Sequence, residues 1–145
     1  MFKTILVPTD GSPLAEKAIH AAIEFARGSG STLIGFSVAE PYPFSALSDV
    51  SISIDTAQYD QKMEAIAHDR VKIIADAAAA AGVPCQTAVA LSFSPYEEII
   101  KAANRFHCDV IFMASHGRKG LDKLFVGSET QKVLANSTIP VMIFR

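Results

Sequence analysis

The sequence predicts an α/β fold: a five-stranded parallel sheet, doubly wound, with helices on both faces. Three observations lead there. Apolar periodicity switches regularly between strand-like and helical spacing along the chain. The alternation runs strand–helix four times and closes on a strand. No internal repeat or low-complexity linker interrupts it, so residues 1–145 are expected to form a single domain. Right-handed crossovers leave few topologies, and the favoured strand order is 3-2-1-4-5, with its reversal between the first and fourth strands.

Phe2 to Pro8 (FKTILVP) reads as a buried strand. A helix follows from Pro13, with Ser12 as N-cap and proline at the first helical position. Its inward face would be Leu14, Ala18, Ala21, Ala22 and Phe25, and Gly28-Ser29-Gly30 would stop it. Thr32 to Val38 is the second strand. A long helix runs from about Ala57 to Ala81, with Met63, Ile66, Ala67, Val71, Ile74 and Ala78 on one stripe. Cys85 to Leu91 is the third strand. Ser94-Pro95-Tyr96-Glu97 reads as a capping box opening a helix to about Phe106. Asp109 to Ala114 is the fourth strand. Ser128-Glu129-Thr130-Gln131 reads as a second capping box, for a helix to about Asn136, and Ile139 to Phe144 is the last strand.

Composition narrows the function classes. Half the residues are hydrophobic and 19% are charged, which supplies a core and argues against disorder. Thirteen basic against fifteen acidic residues give a net charge of −2 without a basic face, so nucleic acid is not an expected partner. No apolar run reaches the roughly 18 residues that would span a bilayer, and the first eight residues lack a signal-peptide core. Cys85 and Cys108 fit neither a disulfide framework nor a metal spacing and are expected to be reduced thiols. A soluble, cytoplasmic domain is expected, with no membrane partner.

In doubly wound sheets, ligands bind outside the carboxyl ends of the strands at the reversal. That rule selects Pro8-Thr9-Asp10-Gly11-Ser12 and Ala114-Ser115-His116-Gly117-Arg118-Lys119-Gly120. The second segment continues to Gly127-Ser128, a helix start preceded by glycine and so a ready anion site. Gly117 and Gly120 allow close backbone approach or positive φ, and Arg118, Lys119 and Lys123 add cationic charge. The bland alternative makes Gly127 a turn and the basic residues a solvated face. Asp10 suits a ribose hydroxyl or Mg²⁺ rather than a phosphate, its bland alternative being a helix cap. The stretch from Glu40 to Thr56 is either a lid, with Tyr42 and Phe44 over a ligand, or a loop packed on its own surface.

Sharper motifs are absent. There is no G-x-x-x-x-G-K-[ST], no G-x-G-x-x-G after the first strand and no G-x-S-x-G. Thr9-Asp10-Gly11-Ser12 differs from the phosphatase loop D-x-D-G-[TS], whose nucleophilic aspartate would fall on Pro8. His116 is the histidine near the proposed pocket and reads as a contact or loop-packing residue. His20, His68 and His107 show no metal-ligand spacing.

The opening strand ending in VPTDGS and the closing ASHGRKG…VGSE…VL…IPVMIF resemble the universal stress proteins along nearly the whole chain. Nucleotide-binding members of that family carry G-x-x-G, nine residues, then G-[ST]. Ala114-Ser115-His116-Gly117, nine residues, then Gly127-Ser128 is similar except at Ala114. The resemblance implies an adenine nucleotide alpha-hydrolase-like fold that binds ATP, with Mg²⁺ as companion ion, rather than an established enzyme. It places Pro8, Thr9 and Asp10 at the ribose or metal, and the Val38 backbone and Met113 at adenine. Ala114, His116, Gly117 and Arg118 would wrap ribose and phosphates, and Gly127, Ser128 and the Glu129 amide would hold phosphates. It further implies a homodimer through the last strand, around Val141 and Ile143, acting as a regulatory protein of the stress response. Two other functions stay open: a weak ATPase or phosphotransferase, and a nucleotide-free dimeric interaction module whose pocket Ala114 has closed.

Overall fold

The structure is a computed structural model and describes residues 1–43, 53–117 and 126–145. Its elements are β1 (Thr4–Pro8), α1 (Pro13–Ser29), β2 (Thr32–Ala39), α2 (Ser53–Ala80), β3 (Cys85–Leu91), α3 (Pro95–Arg105), β4 (Val110–Ala114), α4 (Ser128–Asn136) and β5 (Val141–Phe144). The five strands form one parallel sheet in the order β3-β2-β1-β4-β5. The chain reverses direction of winding between β1 and β4, as the sequence predicts.

Side-chain alternation along the strands feeds two apolar layers. Ile5, Val7, Val110 and Phe112 face α1 and α2, where they meet Ile19, Ile23, Ile74 and Ala78. Leu6, Ile34, Ile111 and Met113 face α3 and α4, where Ile99, Ala103 and Val133 cover them. Because β1 and β4 lie at the centre with both faces covered, Ile5, Leu6, Val7, Ile111 and Val110 are at most 1% exposed.

The inward face of α1 differs from the expected one. Its buried residues are Ala15, Ala18, Ile19, Ala22, Ile23 and Ala26. Leu14, Ala21 and Phe25 lie half-buried on its flank. Four alanines share the contact with Ile19 and Ile23, while Leu14 and Phe25 fall to its rim. Phe25 packs edge-on to Phe112 at 5.6 Å and also against Phe2. Ser12 does cap α1, its Oγ accepting from the Ala15 amide at 3.2 Å. On α2 the stripe Ala67, Val71, Ile74, Ala78 is buried, whereas Met63 and Ile66 are half-buried.

Neither expected capping box forms. Ser94 makes no side-chain cap to α3, and the N-cap of α4 is Gly127 rather than Ser128. Ser128 is already the first helical residue, and Gln131 donates to the Val126 carbonyl instead of reaching back to Ser128. The motif's residue types were right for a helix start, but the chain enters α4 one residue earlier. Cys85 and Cys108 are free thiols, and burial pushes that of Cys108 up to about 12. His107 closes α3 at φ 52°, a left-handed residue that the sequence did not signal.

At the starts of β1 and β4, which begin at Thr4 and Val110, Asp109 acts as a clamp. Its carboxylate accepts the backbone N–H groups of Lys3 and Thr4, and its own amide donates to the Thr4 carbonyl. Those two N–H donors hold the Asp109 carboxyl below the usual carboxylate range. A lowered folded value stabilises above the unfolded value, and that stabilisation disappears as pH falls through the folded value. Urea unfolding of Asp109→Ala against the parent should therefore show a deficit at pH 7 that shrinks below about pH 4. A deficit unchanged at pH 3 would contradict the clamp.

Gly35 on β2 lies under α2. A Cβ there would stand 3.3 Å from three side-chain atoms of Ile74, a contact tighter than packed cores hold. Gly35→Ala should cost about 1–3 kcal/mol in denaturant unfolding. Adding Ile74→Val should return part of that loss; no recovery would place the strain elsewhere.

Candidate functional site

A cavity of about 530 Å³ opens at the carboxyl ends of the strands, at the β1/β4 reversal. Pro8, Thr9, Asp10, Val38, Met113, Ala114, His116, Gly117, Gly127, Ser128 and Glu129 line it. The structure thus gathers into one cavity every described residue that the resemblance assigns to the nucleotide. Gly11, Ser12 and Ser115 do not line it, and Tyr42 packs edge-on against Tyr59 at 5.2 Å, its amide donating to Asp60 Oδ1 at 2.8 Å. Arg118, Lys119, Gly120, Lys123 and Phe44 lie outside the described residues. Val141 and Ile143 stand apart on β5, half-buried against the layer under α3 and α4.

Two turns form the polar side. In the first, after β1, the Thr9 amide donates to the Phe36 carbonyl at 2.8 Å, and Ser37 Oγ donates to the Thr9 carbonyl at 2.8 Å. Thr9 Oγ1 accepts from the Gly11 amide and Asp10 Oδ1 from the Ser12 amide, both local turns. Gly11 takes φ 78°, which glycine supplies without strain, and the Arg70 side chain of α2 lies against it. These bonds, local ones within Thr9–Ser12 and two from β2, fix Asp10 at the cavity wall.

The second turn brings β4 to α4. The Gly127 amide donates to the Ser115 carbonyl at 2.7 Å, and Thr130 Oγ1 donates to the Ala114 carbonyl at 3.0 Å. A Cβ on Gly127 would lie 3.2 Å from that Ser115 carbonyl oxygen, and one on Gly117 would collide with the Asp10 carboxylate. Neither glycine has positive φ, so close approach is what requires them. Ala114 is buried strand backbone paired with Phe144, and it too lies outside the positive-φ region. Alanine there carries no backbone strain.

The start of α4 faces the cavity with no side chain capping it. Its first N–H groups and the helix dipole make that end attractive to an anion. The Glu129 carboxylate does not neutralise it, because Oε2 accepts the Tyr96 amide of α3 at 3.0 Å and Oε1 pairs with Lys132 at 3.3 Å. His116 Nδ1 shares a hydrogen bond with Ser115 Oγ at 2.9 Å, while Nε2 is buried without a partner among the described residues.

The opposite side is largely apolar: Phe36, Val38, Ile99 and Met113. Sequence reasoning missed Phe36, Glu40, Ser92, Phe93, Pro95, Ile99 and Thr130, which also line the cavity. Ser92 and Phe93 had a usable signal, since they follow the carboxyl end of a strand. Ile99 and Thr130 had none, because they reach the cavity through helix packing. Among the described residues no three His, Cys, Asp or Glu side chains gather as a metal site. No helix of the described residues is long and apolar enough to cross a membrane.

The family model for the universal stress protein family matches residues 1–145. A universal stress protein of Thermus aquaticus is 32% identical over 145 residues, covering all of both chains. The solved structure of MJ0577 from Methanocaldococcus jannaschii superimposes with a TM-score of 0.84 at 26% identity, covering 99% of this chain and 96% of that one. A universal stress protein solved in complex with cAMP shares the fold with a TM-score of 0.62 at 21% identity, covering 99% and 97% of the two chains. The chain belongs to the universal stress protein family.

Proposed function

We propose that the cavity binds an adenine nucleotide, ATP with Mg²⁺, and that the protein is a nucleotide-binding regulatory homodimer of the stress response. The observation that carries this reading is the cavity's two-sidedness. One side is apolar, through Val38, Phe36 and Met113, and the other presents an uncapped helix start behind Gly127. Its volume of about 530 Å³ lies in the range of small-molecule sites. A purine suits the first side and a phosphate the second. The family structure solved with cAMP has an adenine nucleotide on this fold. For this chain, the lining residues are the stronger support.

Each residue then has a part. The Val38 backbone and Met113 would take the base, and Pro8, Thr9 and Asp10 the ribose. Gly117, Gly127, Ser128 and the Glu129 amide would hold phosphate oxygens, with Arg118 beside them. Mg²⁺ is commonly held by one or two carboxylates together with phosphate oxygens, and Asp10 is the carboxylate at the strand end that fits that role. Bound Mg²⁺ would neutralise phosphate charge next to Asp10. No residue is assigned a catalytic role. His116 Nδ1 is engaged by Ser115, and no carboxylate hydrogen-bonds its ring among the described residues. The homodimer would form along β5, which pairs with β4 on one side and carries Met142 41% exposed.

Purified protein, denatured, should release ATP in near-stoichiometric amount as read by mass spectrometry, and a Gly127→Val, Ser128→Ala variant should release none. An empty parent that also shows no uptake of Mg·ATP by calorimetry would overturn the nucleotide reading. Gly117→Ala, whose Cβ collides with Asp10, should weaken Mg·ATP binding by at least about tenfold, roughly 1.4 kcal/mol. Unchanged affinity would remove Asp10 from the ligand contacts. Sedimentation at micromolar concentration should give a dimer; a clean monomer would remove β5 as the interface.

A further inference from the structure

The Glu129 side chain has a role separate from that of its amide. Glu129 is the second residue of α4, beside the uncapped helix start, yet its Oε2 reaches across to the backbone N–H of Tyr96 at 3.0 Å. Tyr96 is the second residue of α3, and Ser94 leaves that helix without a side-chain cap. One carboxylate from α4 therefore supplies the cap that α3's own sequence does not. Lys132, one turn along α4, pairs with Glu129 Oε1 at 3.3 Å and stands 5.6 Å from the centre of the Tyr96 ring. The Tyr96 hydroxyl is hydrogen-bonded to Glu97.

The bond joins two parts of the cavity lining, Glu129 itself and the segment that ends at Pro95. Immediately before Tyr96, the residues Ser92, Phe93 and Pro95 form the wall after β3, and Phe93 is 58% exposed there. The Ser92 amide donates to the Ala39 carbonyl at 2.9 Å, which seats this wall beside the end of β2, on the Val38 side. Gly127 and Ser128 stand on the other side of Glu129, at the anion-attracting end. We infer that Glu129 is a positioning residue: its carboxylate latches the Ser92–Tyr96 wall to the start of α4 and so couples the base side of the cavity to its phosphate side. This inference rests on the nucleotide reading for what the cavity holds, but not for the latch itself.

The test compares the parent with Glu129→Ala and Glu129→Gln, the latter keeping an acceptor for the Tyr96 amide. Residue-resolved hydrogen exchange in ligand-free protein should show Tyr96 exchanging about tenfold faster in the alanine variant and near the parent rate in the glutamine variant. Amides of β1 and β4 should be unchanged in both, which separates a local latch from a general loss of stability. Calorimetry with Mg·ATP and with adenosine should show both affinities falling about fivefold in Glu129→Ala and recovering in Glu129→Gln. Equal loss for adenosine, which has no phosphate, is the mark of a displaced wall. Unchanged Tyr96 exchange in Glu129→Ala would overturn the latch. Faster Tyr96 exchange with unchanged adenosine affinity would overturn the coupling and leave a helix cap only. A parent that binds neither ligand would overturn the nucleotide reading and the coupling with it, while the exchange rates would still decide the latch.

Discussion

The hydrogen bond from the Gly127 amide to the Ser115 carbonyl, at 2.7 Å, joins the end of β4 to the start of α4. A Cβ on Gly127 would crowd that carbonyl oxygen at 3.2 Å, and glycine leaves the approach open. Thr130 fastens the same helix to the next carbonyl back, that of Ala114. Once α4 is held there, its uncapped first turn faces the cavity, and Gly117 brings the β4 loop against Asp10 at the end of β1. The polar half of the site is thus a consequence of two backbone approaches at the sheet's reversal. The apolar half is the continuation of the core layer under α3 and α4, which runs out at Met113, Phe36 and Val38.

Ala114 illustrates how a departure from a motif is decided by backbone conformation. Where a glycine stands because φ is positive, alanine strains the chain; where it stands in an extended strand, alanine costs little. Ala114 pairs with Phe144, gives its carbonyl to Thr130, and is buried. Ala114 lines the cavity without closing it, since about 530 Å³ remain with alanine in place. At the two later glycines a Cβ would displace the Asp10 carboxylate, at Gly117, or crowd the Ser115 carbonyl, at Gly127.

Much of the fold and the site was legible because both rest on local signals. Ser12 and Pro13 mark a helix start, Gly30 and Gly82 mark helix ends at positive φ, and continuous apolar runs such as TILVP mark strands covered on both faces. Strand order then follows from crossover handedness, and the reversal names the site before any side chain is placed. What escaped the sequence depends on tertiary contacts. The box at Ser94 looked self-sufficient, yet α3 is capped by Glu129 from another helix. The face of α1 is rotated, so that Ile19 and Ile23 with four alanines, not Leu14 and Phe25, meet the sheet. Ile99 and Thr130 reach the cavity only after α3 and α4 have packed, and no periodicity encodes that.

The central claim is that one cavity, at the β1/β4 reversal, takes an adenine nucleotide with base and phosphates at opposite sides. Its most direct test is a residue-resolved NMR titration of nucleotide-free protein with Mg·ATP. The account predicts amide shift changes concentrated at Thr9–Gly11, Val38–Glu40, Met113–Gly117 and Gly127–Thr130, with little change along the outer faces of α1 and α2. No shift at saturating Mg·ATP, or shifts centred away from those four segments, would contradict it.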